Sequence, residues 1–94
     1  MSIQPLQLLF YTKHDCPLCE KAREAVGRVL AKLDSIPVEI DTRDIESNEE
    51  WHEEYKLLIP VVEIDGAQVV LYHVHERRLA RRLKSAWKTR RRAG

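Results

Sequence analysis

The run of apolar segments and turn signals in this 94-residue chain predicts an α/β fold, a four-stranded mixed sheet with three helices in the order β-α-β-α-β-β-α. Three observations carry the prediction. A strand-length apolar run at residues 6–11 feeds directly into an amphipathic stretch opened by Pro17. A segment at 38–41 alternates apolar and acidic residues with period two. Asp65-Gly66 divides two further apolar runs, as the dipeptide of a tight hairpin does. A helix crossing between the first two strands makes them parallel, and the hairpin contributes an antiparallel pair. At this length one domain over residues 1–94 is expected, since so short a chain has little room for a second core.

Taken in order, Leu6-Gln-Leu-Leu-Phe-Tyr11 contains no Gly or Pro and is expected to be a strand covered on both faces. The first helix begins at Pro17, whose missing N–H is one that a helix start leaves unpaired anyway. At about 100° per residue, Cys19, Ala22, Ala25, Val26, Val29, Leu30 and Leu33 share one arc, with Glu20, Lys21, Glu24, Arg28 and Lys32 outside it. Val38-Glu-Ile-Asp41 is the second strand. Ser47 is placed as the cap of a short second helix with acidic residues in its first turn, on which Trp51, Tyr55 and Leu58 share a face. Residues 61–64 and 67–72 form strands three and four. The third helix spans about 74–90, with Leu79, Ala80, Leu83, Ala86 and Trp87 on its apolar arc. Arg90 would point into that arc, so docking is expected to stop near Trp87 and residues 90–94 to fray.

With 44% hydrophobic and 33% charged residues the composition is globular, and three Gly and four Pro exclude collagen-like or linker-dominated chains. The net charge of +1 conceals an asymmetry. Residues 1–75 carry 7 Lys/Arg and 14 Asp/Glu, a balance of −7, whereas residues 76–94 carry 9 and 1, a balance of +8. No run approaches the roughly 18 apolar residues of a membrane span, and Met-Ser-Ile-Gln-Pro does not read as a secretory signal. The expected location is cytoplasmic.

The two cysteines, Cys16 and Cys19, are too few for a disulfide scaffold and too close to staple one, since a four-residue loop yields only about 2 kcal/mol in the chain-entropy model. Chemistry explains them better. They sit where a strand hands over to a helix, a place whose free N–H groups and dipole favour an anion and so a Cys16 thiolate; Lys13 and His14 add positive charge nearby. Cys16 would attack a disulfide, and Cys19, one turn on, would resolve the mixed disulfide. Two other readings compete with this one. The pair could be half of a zinc site completed by His73 and His75, or inert core thiols. Redox chemistry is favoured because no second cysteine pair exists, and no bound metal or organic cofactor is expected.

Tyr11-Thr-Lys-His-Asp-Cys-Pro-Leu-Cys19 resembles the active-site segment of the glutaredoxins, and Ile59-Pro-Val-Val-Glu-Ile-Asp-Gly66 resembles the cis-proline strand and hairpin of that family. The similarity covers residues 6–90. It implies a thioredoxin-like fold in which Pro60 is cis and faces the dithiol, the Ile59 backbone is free to pair with a bound peptide or glutathione, and Lys13 meets a glutathione carboxylate. Three places depart from the family pattern. Leu18 replaces an aromatic residue between the cysteines, Leu58-Ile59-Pro60 replaces Thr-Val-Pro, and Val70-Leu-Tyr-His73 stands where a glutathione-binding Gly-Gly is common. Glutathione is thus expected as a co-substrate without its full grip, and the electron donor is open.

The expected function is a glutaredoxin-like thiol-disulfide oxidoreductase acting on protein or glutathione mixed disulfides through Cys16 and Cys19, with Lys13, Ile59 and Pro60 at the substrate. The alternative is a non-catalytic binding module whose basic last helix engages nucleic acid or an acidic protein. Arg77, Arg81, Lys84, Lys88 and Arg92 form a stripe there, which is otherwise the wet face of a packed helix. Nothing in that stripe reads bases. A monomer or weak dimer, with no membrane partner, completes the expectation.

Overall fold

A computed structural model describes residues 4–93 of the chain. Its elements are β1 (Leu6–Thr12), α1 (Pro17–Lys32), β2 (Val38–Asp44), a 3-10 turn (Ile45–Ser47), α2 (Glu49–Tyr55), β3 (Val61–Ile64), β4 (Ala67–Leu71) and α3 (Glu76–Ala93). The strands lie in the order β2-β1-β3-β4. β1 runs parallel to β2, with Leu6 opposite Val38 and Thr12 opposite Asp44, and antiparallel to β3, with Phe10 opposite Val62. β3 and β4 form the antiparallel hairpin. Its turn places Asp65 at φ 49° and Gly66 at φ 87°, the left-handed pair that a two-residue hairpin loop requires.

Alternation along β1 and β3 sends successive side chains to opposite faces and so makes two cores. Leu6, Leu8 and Phe10 of β1 and Val62 and Ile64 of β3 pack with Ala22, Ala25, Val26 and Val29 of α1 and Leu79 and Leu83 of α3. On the other face, Tyr11, Val61, Ile45, Tyr55, Ile59 and Cys19 form a second cluster under α2. The buried arc of α1 matches its apolar spacing: Cys19, Ala22, Ala25, Val26 and Val29 are its buried residues.

Several expectations are corrected. β1 is covered on both faces only at its C-terminal end, because α2 is too short to reach Gln7, which is exposed. β2 is an edge strand, so alternation there buries little and Ile40 remains 50% exposed. The cap of α2 is Asn48, not Ser47: the Trp51 N–H donates to Asn48 Oδ1 at 3.1 Å, while the Ser47 hydroxyl donates to the Asp44 carbonyl at 2.6 Å within the preceding turn. The expected fraying from residue 90 does not occur within the described residues. α3 continues to Ala93, and Arg90 docks by donating to the carbonyls of Gln4 and Pro5 at 2.9 and 3.0 Å while pairing with Asp65 at 2.7 Å. Its aliphatic stem reaches past the apolar arc and delivers the guanidinium to these oxygens. Gly94 lies outside the described residues.

Candidate active site

The chain leaves β1 at the buried Thr12, turns through His14 and Asp15, the latter at φ 53°, and enters α1 at Cys16-Pro17. Cys16 is the N-cap residue, with extended backbone (φ −119°, ψ 97°), and its carbonyl accepts the Glu20 N–H at 3.1 Å. Its sulfur occupies the place that a serine or aspartate oxygen takes in an ordinary cap: the Cys19 N–H donates to Cys16 Sγ at 3.2 Å. One of the four orphan donors at the helix start is thereby aimed at the sulfur. Cys16 and Cys19 are joined in a disulfide, their Cα atoms 5.2 Å apart. The two sulfurs differ in access, as Cys16 is half-buried and Cys19 only 1% exposed.

Both cysteines rest on the second core cluster, which also holds Ile59. The Ile59–Pro60 peptide bond is cis, and Pro60 is fully buried. The backbone here is partly committed. The Ile59 N–H donates to the Tyr55 carbonyl at 3.1 Å, so the Ile59 backbone is not wholly free for a bound peptide. Its carbonyl accepts no hydrogen bond from any described residue, whereas those of Leu58 and Pro60 both accept from the Tyr72 N–H, at 3.1 and 2.9 Å. Of the Ile59 backbone only the carbonyl is therefore open, not the N–H.

Lys13 is exposed in the β1–α1 loop and forms no ion pair among the described residues. His14 Nε2 lies 3.6 Å from the Asp44 carboxylate, so the end of β2 holds this imidazole. His73 and His75 sit away from the cysteine pair in sequence and meet each other edge to face at 4.7 Å, in the connection from β4 to α3. Among the described residues no three His, Cys, Asp or Glu side chains gather as a metal site would require.

Sequence reasoning missed two features. Under the dithiol lies an aromatic stack: the Tyr11 and Tyr55 rings are 4.2 Å apart at 28°, and Trp51 meets Tyr11 edge-on at 6.0 Å. Arg43 lies 5.0 Å from the Trp51 ring, donates to Tyr11 Oη at 3.1 Å and pairs with Asp41 at 3.1 Å. Burial works against its charge, but the bonds to Asp41 and Tyr11 outweigh it and raise its pKa. The shared face of Trp51 and Tyr55 was legible; that it meets Tyr11 from the other end of the chain was not. The second feature is a cleft of about 550 Å³ between α1 and the β4–α3 connection, which brings Leu18 and Tyr72 together. Both are unusually exposed for apolar residues, at 44% and 57%.

Solved structures share this architecture. Protein XcR50 from X. campestris superposes with a TM-score of 0.68 at 24% identity, covering 83% of this chain and 96% of that one. Protein Ne2328 from Nitrosomonas europaea gives 0.67 at 23%, covering 87% and 95%. Mitochondrial thioredoxin 3 from Saccharomyces cerevisiae, in its oxidised form, gives 0.62 at 12%, covering 88% and 81%. At such identities these likenesses show the fold, which is thioredoxin-like. The sequence profile described as Glutaredoxin-like domain (DUF836) matches residues 7–84, from the second residue of β1 to the middle of α3, with the dithiol and Pro60 inside it. The chain that closes a disulfide at the start of α1 thus belongs to the glutaredoxin-like domain family.

Proposed function

We propose that this protein is a thiol-disulfide oxidoreductase working on protein or glutathione mixed disulfides. The observation that carries the reading is the disulfide at the N-terminus of α1, with an accessible Cys16 in the capping position and a buried Cys19 one turn below. In the reduced protein the Cys19 N–H and the helix dipole stabilise a Cys16 thiolate. That thiolate attacks one sulfur of a substrate disulfide, forming a mixed disulfide and releasing the other sulfur as thiolate. Cys19, losing its proton to solvent, then attacks Cys16 Sγ, closes the Cys16–Cys19 bond and expels the second substrate thiolate. Two electrons pass to the substrate. An external dithiol, or two glutathione molecules, returns the protein to its reduced state and leaves as disulfide.

The open Ile59 carbonyl supports binding of an extended substrate next to the cysteines, with Pro60 fixing the backbone there. Lys13, exposed and unpaired among the described residues, supplies a cation for a substrate carboxylate. No bound metal or organic cofactor enters the reaction; glutathione serves as co-substrate. A cytoplasmic location suits a dithiol that must be kept reduced.

The test is reduction of a glutathione mixed disulfide and of insulin by the wild type, Cys16→Ser and Cys19→Ser. Cys16→Ser is expected to lose at least about 10²-fold in both assays, because no thiolate remains at the cap. Cys19→Ser is expected to accumulate a mixed disulfide visible by mass spectrometry. Equal rates for wild type and Cys16→Ser would overturn the proposal.

A further inference from the structure

The outward face of α3 carries ten residues from Arg77 to Arg92, and eight of them are cations; the other two are Ser85 and Thr89. All ten are exposed. At about 100° per residue Arg77, Arg81, Lys84, Lys88 and Arg92 align as a stripe roughly 22 Å long, flanked by Arg78, Arg82 and Arg91. Among the described residues none of the eight forms an ion pair; the one acid of the helix, Glu76, is taken by Arg28 of α1 at 3.0 Å, and Arg90 points inward to Asp65. Like charges at i, i+4 repel, as between Arg77 and Arg81 or Lys84 and Lys88, and cations in the first turn, such as Arg77 and Arg78, oppose the helix dipole. The fold gains nothing from this face by itself. A polyanion laid along it would relieve both costs.

We propose that α3 is a docking surface for the phosphate backbone of a nucleic acid duplex, bound without regard to base sequence. Charge spacing, geometry and side-chain chemistry favour this occupant. A duplex presents about one negative charge per 1.7 Å of axis, so it can match the stripe along its whole length. The acidic surface of a second copy cannot, because Glu46, Glu49, Glu50, Glu53 and Glu54 span only about half that distance, and Glu53 is already paired with Lys56. The acids also stand on α2 and the turn before it, and α2 packs on the sheet face opposite α3. A strand bound to α3 therefore has the sheet and core between itself and the acidic surface. A membrane fits poorly, since an amphipathic helix enters a bilayer by its apolar face and here that face is the core. The guanidinium groups that dominate the stripe suit phosphate oxygens, to which they can donate two parallel bonds. The contact carries no base readout: Trp87, the one aromatic residue of α3, is packed against the core. Arg77 lines the same cleft as Leu18, so the docking surface begins at the dithiol end of the molecule.

The experiment is fluorescence anisotropy of the full chain with labelled DNA and RNA duplexes of two unrelated sequences, across a range of salt. Binding is expected at low salt, equal for the two sequences, and falling about 10²-fold between about 50 and 200 mM salt if some four phosphates are neutralised. The double variant Arg81→Glu with Lys88→Glu is expected to weaken binding at least about tenfold and to lower the salt slope by about two. Its fold is checked by circular dichroism; if it fails to fold, Arg81→Gln with Lys88→Gln takes its place. The proposal is overturned if neither duplex binds at low salt or if the folded variant binds as the wild type does. It is equally overturned if polyglutamate or phosphatidylserine vesicles bind as tightly as the duplexes, or if the chain self-associates through α3 instead. None of these outcomes depends on disulfide reductase activity.

Discussion

Cys16 shows how much a single residue can declare in advance. Its place at the junction of an apolar run and a Pro-initiated helix made the dithiol at a helix start readable, and with it the nucleophilic role proposed for Cys16, because the free donors of a helix start favour an anion. Tyr55 shows the opposite case. Its ring stacks on Tyr11, and its hydroxyl donates to Glu63 Oε2 at 3.0 Å, neither of which local sequence reveals. Burial first, and then the bond to Glu63, push its pKa well above the ordinary value of 10.0. The folded state therefore holds this proton more tightly than the unfolded chain. The stabilisation is complete below pH about 10 and is lost as pH rises towards the folded value. Tyr55→Phe is expected to cost about 1–3 kcal/mol at neutral pH, through the lost bond to a carboxylate. It is also expected to flatten the alkaline decline, as read from urea midpoints between pH about 8 and 11. Parallel declines in parent and variant would assign that proton elsewhere.

At the scale of elements, apolar spacing was a sound guide to the face each helix buries, and a poor guide to where helices begin and end. α2 is the instructive case. Ser47 has the right chemistry for a cap, but its hydroxyl is used inside the 3-10 turn, and Asn48 takes the helix. Asn48→Ala is expected to lower stability by about 1 kcal/mol, as loss of a cap does. Ser47→Ala is expected to leave the α2 cap intact, so far-ultraviolet dichroism should report helix loss in the first variant only. α3 gives the complementary lesson. A basic residue on its apolar arc suggested an end, but Arg90 ties the helix to the N-terminal segment and to the hairpin turn. Asp65 is itself fixed there, accepting the Gln7 N–H at 2.9 Å. Arg90→Ala is expected to cost about 1–3 kcal/mol by denaturant titration, since it strips a partly buried carboxylate and two carbonyls of their donor.

Across the whole molecule, the two cores lie on opposite sheet faces and share β1 and β3, so they should melt together. The chain has one tryptophan beside each: Trp51 packs against the cluster under the dithiol, and Trp87 against the α1–α3 cluster. Single-tryptophan variants, Trp51→Phe and Trp87→Phe, therefore report the two halves separately. In each variant the fluorescence transition in urea is expected to coincide with loss of far-ultraviolet dichroism, the mark of one cooperative unit. Displaced transitions would mean that the α2 side opens on its own. The sequence by itself determined the order of elements, the dithiol at a helix start, the hairpin at Asp65-Gly66 and the concentration of cations in one helix, all of which depend on residues within a few positions of one another. Only the tertiary structure decided that α2 and α3 occupy opposite faces, which separates the acidic from the basic surface. It also decided that the Tyr72 N–H is taken by the Leu58 and Pro60 carbonyls on either side of Ile59, and that Arg90 finds its oxygens 25 residues and more away in the chain. These outcomes rest on pairings between distant segments, such as Leu6 with Val38 and Arg90 with Asp65, and no local propensity encodes the partner of a side chain that the sheet brings to it.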